Sequence, residues 1–135
     1  MSSNKNEEVL DRACTNFNRQ VKKLMSIICT NAKRDFEIDD IRQKVLIAMD
    51  VDDRIAINSL GPYIYEYKQY IDNDSFGELL KNDVINLKKY NAEDASNMRI
   101  FNILKKQYID FDNDEKDVIH NIIKNALNFY IMFSC

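Results

Sequence analysis

One proline and two glycines in 135 residues are too few to make the many tight turns of a β-sandwich or barrel. Cysteine is scarce as well. Cys14, Cys29 and Cys135 are odd in number, far apart and without a C-x-x-C pair, which excludes a disulfide framework or a zinc spacing and fits a reducing compartment. There is a single histidine, His120, with no serine or cysteine in a nucleophile setting around it, and its place on the polar side of a helix predicts a solvated ring. Glycine-rich phosphate loops and His/Cys clusters are missing too. The expectation is a non-enzyme without metal, cofactor or small-molecule ligand.

Residues 1–8 are polar, with no apolar signal-peptide core, and Ser2 stands where myristoylation needs glycine. Val118 to Cys135 is the most apolar segment, but His120, Lys124 and three asparagines interrupt it, so no membrane span is expected. These features together predict an intracellular protein.

What the chain has in quantity is isoleucine, leucine, asparagine and charge, in patterns of helical period. The expected fold is all-α, a compact bundle of about five or six helices in one domain over 9–135, after a flexible start at 1–8. Leu10, Cys14, Phe17, Val21, Leu24 and Ile28 alternate steps of four and three and predict a long first helix. Its opposite side carries Arg12, Arg19, Lys22, Lys23, Lys33 and Arg34. Acidic residues dominate from Asp35 to Asp53, where Ile38, Ile41, Val45 and Ala48/Met49 mark a short second helix opened by Asp39 and Asp40. Val51-Asp52-Asp53 reads as a turn. A further helical piece runs from Arg54 to Leu60.

Gly61-Pro62 predicts a new helix start, because proline suits the first helical turn. Leu60, Ile64, Tyr67 and Ile71 then form one line, flanked by Tyr63 and Tyr70, while Tyr65 points to the wet side with Lys68, Gln69 and Asp72. Asp72 to Ser75 is a turn; Ser75 to Tyr90 is loosely helical through Leu79, Val84 and Leu87; Glu93 to Ile109 is helical through Met98, Phe101, Leu104 and Tyr108. The last helix, from about Glu115, has an apolar arc from Val118 to Phe133 wide enough to require more than one neighbour, and is expected at the centre of the bundle.

Asp110, Asp112 and Asp114 have the spacing of a calcium loop, but Glu115 occupies the position of its glycine and Asn121 that of its closing glutamate. A capping box of Asp112 with Glu115 explains the same residues.

The Gly-Pro-Tyr-x-x-x-Tyr-x-x-x-Ile core from Gly61 to Ile71 resembles small helical proteins encoded by large nucleocytoplasmic DNA viruses, and the asparagine and isoleucine bias agrees with that source. The resemblance implies a host-cytoplasm or virion setting and a compact helical domain that binds another protein. The expected function is a protein-interaction module with a protein partner or a second copy of itself. The candidate contact residues are Tyr65, Lys68 and Gln69 together with Phe129, Tyr130, Met132 and Phe133. The alternative is nucleic-acid binding through Arg19, Lys22, Lys23, Lys33 and Arg34, since a net charge of −3 still leaves room for a local basic face.

Overall fold

The computed structural model describes residues 2–32, 36–72 and 103–134, and among them every regular element is a helix. They are α1 (Ser2–Ala32), α2 (Phe36–Val51), α3 (Ile55–Glu66), α4 (Lys68–Ile71), α5 (helical residues 103–108) and α6 (Asn113–Ser134). The protein is an all-α bundle. The expected segments from Ser75 to Tyr90 and from Glu93 to Phe101, with Lys33 and Arg34, lie outside the described residues.

The core forms where the apolar seams meet. Cys14, Phe17, Val21 and Ile28 of α1 are buried as their spacing predicts, with Ala13 and Met25 widening the stripe. α6 lies along α1 and also touches α3 and α4. Its central place follows from its arc, in which Ile119, Ile122, Ile123, Ala126 and Leu127 are all buried. A stripe that wide leaves no single neighbour able to cover it.

α2 buries Ile38, Ile41 and Met49 and, at 16 residues, is longer than the short helix expected. The turn after it is closed by Asp52. Its side-chain Oδ1 accepts the Arg54 N–H (3.0 Å) and its carbonyl accepts the Ile55 N–H (3.1 Å), an aspartate-nucleated turn that leads into α3.

Gly61-Pro62 does not start a helix. α3 begins at Ile55 and passes through both residues, with Pro62 inside it, and the break comes only at Tyr67. Pro62 leaves the Asn58 carbonyl without its helical donor, but Asn58 is exposed, so water can replace that bond. The reason for glycine is long-range. A Cβ on Gly61 would lie 2.8 Å from Tyr130 Cγ and closer still to two other atoms of that ring, so the missing side chain lets α6 approach. At Tyr67 the helix tightens, with the Tyr67 N–H on the Ile64 carbonyl at 3.2 Å, and α4 follows as one more turn.

The capping box is present. The Glu115 N–H donates to Asp112 Oδ1 (2.8 Å) and the Asp112 N–H to Glu115 Oε1 (3.3 Å), closing the N-terminus of α6. His120 is not simply solvated: it is half-buried, with Nε2 2.6 Å from the Ile71 carbonyl, and ties α6 to the end of α4. Among the described residues no helix is long and apolar enough to cross a membrane.

Candidate interaction face

Tyr65 of α3 and Tyr130 of α6, more than sixty residues apart in sequence, meet with ring centroids 6.1 Å apart, tilted at 59°. Their meeting depends on Gly61, one turn before Tyr65 on α3, whose bare Cα admits the Tyr130 ring. Tyr65 stays 48% exposed and Tyr130 is half-buried. The pair therefore presents aromatic surface on a backbone that is packed from behind at Gly61.

Lys68 follows Tyr65 by three residues, on α4. The hydrogen bond that Lys68 Nζ donates to the Asp72 carboxylate, reinforced by that carboxylate's charge, raises the Lys68 ammonium above the ordinary lysine range. The Lys68 Nζ and Asp72 Oδ2 form an ion pair one helical turn apart. Gln69 is exposed on α4.

The C-terminal candidates do not share one face. At about 100° per residue, Phe133 lies on the same side of α6 as Tyr130, whereas Met132 is turned about 200° away. Met132 is 49% exposed. Phe129, Tyr130 and Phe133 are partly buried and lean on the core, so they contribute edges of rings to the surface.

Arg54 had no part in the sequence-based expectation, yet it joins three elements. Its guanidinium reaches Glu7 (3.3 Å) and Asp11 (3.1 Å) of α1 and lies 5.8 Å from the centre of the Phe133 ring. The hydrogen bond to Asp11, helped by both carboxylate charges, raises the guanidinium further above its ordinary range. No local pattern announces such a residue, because each partner is distant in sequence. Next to it the Asp53 carbonyl accepts Cys14 Sγ–H (2.6 Å) and Asn18 Nδ2–H (2.8 Å), which uses both lone pairs of one oxygen to hold the α2–α3 turn on α1. Burial, and then the Asp53 carboxylate, push the Cys14 thiol above its ordinary value.

Gln20 was also missed, although it carries a signal: it falls on the apolar arc, three residues after Phe17. It is 7% exposed, and its Oε1 is buried without a hydrogen-bond partner among the described residues. It lines a narrow apolar cavity of about 30 Å³ with Leu24, Leu60, Ile64 and Ile122, too small for more than a water-sized group.

Of the basic face on α1, Arg19, Lys22 and Lys23 are exposed. Arg19 Nη1 donates to Asn16 Oδ1 (3.2 Å) and Arg12 pairs with Glu8 (3.3 Å). Lys22 and Lys23 form no ion pair among the described residues.

Comparison of the chain with protein-family models, curated proteins and solved structures found no match in any of the three.

Proposed function

We propose that this helical bundle is a non-enzymatic protein-interaction module whose partner, another protein or a second copy of the chain, packs on the Tyr65–Tyr130 edge. The observation that carries this reading is the half-exposed Tyr65 ring set against Tyr130 where α3 and α6 approach closely at Gly61. Tyrosines held this way offer large contact area at little entropic cost and keep a polar end for water, which is why they are enriched in interface centres. Lys68 and Gln69 form a polar rim. The resemblance of Gly61–Ile71 to small proteins of large DNA viruses supports an infected-cell or virion setting.

Sedimentation velocity over a hundredfold concentration range, paired with a photo-cross-linking residue at position 65, tests this reading. The expected result is either a dimer that Tyr65→Asp dissolves or a discrete cross-linked partner that Tyr130→Ala removes. A concentration-independent monomer that yields no adduct at position 65 beyond those at exposed Asn58 would sink it.

A second reading is nucleic-acid binding by Arg19, Lys22 and Lys23, favoured by the two exposed lysines, which have no ion-pair partner among the described residues. Its signature is a duplex shift that weakens steeply with salt and disappears in Lys22→Glu/Lys23→Glu.

A further inference from the structure

Val51 is 82% exposed and Ile47, one turn before it on α2, is 62% exposed, the two largest exposures among the buried and surface aliphatics of α1, α2 and α3. Their spacing puts both on one line of the helix. Val51 also forms part of the wall of an open groove of about 530 Å³ between α1 and the α2–α3 turn, lined with Asp11, Asp50, Asp52, Asp53 and Arg54.

The charges there are unequal. Four carboxylates face one guanidinium, and that guanidinium is already engaged by Glu7 and Asp11. Asp52 Oδ1 accepts a backbone N–H, while the Asp50 and Asp53 carboxylates have no cationic partner among the described residues. The carboxylates are also dispersed: among the described residues no three His, Cys, Asp or Glu side chains gather closely enough to hold a metal ion. A long cationic side chain suits such an arrangement better, since its several donors reach separated acceptors singly.

We propose that this corner is a second docking site, taken by a segment of a partner protein in which a lysine or arginine stands next to a leucine-like residue. The cation enters the groove towards Asp50 and Asp53, and the aliphatic side chain covers Val51 and Ile47. Charge complementarity fixes the register and the apolar contact supplies the surface removed from water. The proposal uses neither Tyr65 nor Tyr130 and does not rest on that edge.

The test is a titration of isotope-labelled protein with an end-capped hexapeptide of alternating lysine and leucine, followed by amide chemical shifts, against the same peptide with glutamate for lysine. Shifts confined to Ile47–Ile55 and Asp11–Thr15 are expected for the basic peptide alone. Affinity should fall about tenfold in Asp50→Asn/Asp53→Asn and about threefold in Val51→Ser. It should be unchanged in Asp110→Asn/Asp114→Asn, which removes the same charge from the α5–α6 turn. An equal loss in both double variants means diffuse attraction to an acidic protein and overturns the proposal. So does the appearance of the same shifts when the protein is concentrated without peptide, which would make the occupant a second copy.

Discussion

Along the α1–α6 seam Phe17 and Leu127 are wholly buried, and α1 and α6 hold each other through apolar side chains. At the α2–α3 corner the attachment to α1 runs through the Asp53 carbonyl and the Arg54 ion pairs, and the aliphatic side chains of Ile47 and Val51 are left outside. A seam made of side chains uses up its apolar surface in stability. A corner made of backbone acceptors and charge holds its position while leaving side chains available for a partner, and the Tyr65–Tyr130 edge, packed from behind by Gly61, lies between these extremes.

The contrast breaks first at the seam. Phe17→Ala should cost about 3–5 kcal/mol in urea unfolding, the largest loss expected anywhere in the protein, because a fully enclosed ring leaves a cavity. If it costs no more than a surface change, the α1–α6 seam is not the stabilising centre. Gly61→Ala should cost about 1–2 kcal/mol despite alanine's better helix propensity of about 1 kcal/mol, since the Tyr130 ring must leave its place. In a Tyr130→Ala background the same change should become neutral or stabilising. A sign that stays the same in both backgrounds would mean that the close approach of α3 and α6 is not what glycine serves.

Asn18→Ala at the corner should cost about 1 kcal/mol, with the loss showing as faster amide exchange at Asp52–Ile55 rather than across the bundle. Gln20→Met should stabilise the seam by about 1 kcal/mol, because it removes an unpartnered buried oxygen and keeps the volume. The smallest effect is on pH dependence. The Cys14 and Cys29 thiols are both raised, first by burial, so the unfolded chain ionises before the folded one and binds fewer protons. Stability from these groups is present below the ordinary thiol range of about 8.5 and is lost as pH rises through their folded values. Thermal unfolding should therefore fall on the alkaline side, and Cys14→Ala/Cys29→Ala should flatten that fall at its start; a drop of unchanged steepness would assign it to other groups.

Helix type, the α1 stripe, the Asp52 turn, the Asp112–Glu115 box and the central place of α6 were all legible locally, since each depends on residues two to four positions apart or on the width of one arc. The candidate face was legible only in part. Tyr65 and Tyr130 could be named singly as aromatics, but not as neighbours, and Met132 belongs to another side of α6 from Tyr130. Gly61-Pro62 misled because a local rule for starting helices met a long-range use of the same glycine.

The sequence by itself determined that this chain is helical and which stripe of each helix is apolar, because period and capping are properties of neighbours along the chain. Only the tertiary structure decided that Gly61 receives Tyr130, that Arg54 links α1 to Phe133, that His120 meets the end of α4, and that Asp11 of α1 shares a groove with the acidic α2–α3 turn. Those are contacts between residues tens of positions apart, set by how helices cross, and no local pattern encodes the crossing.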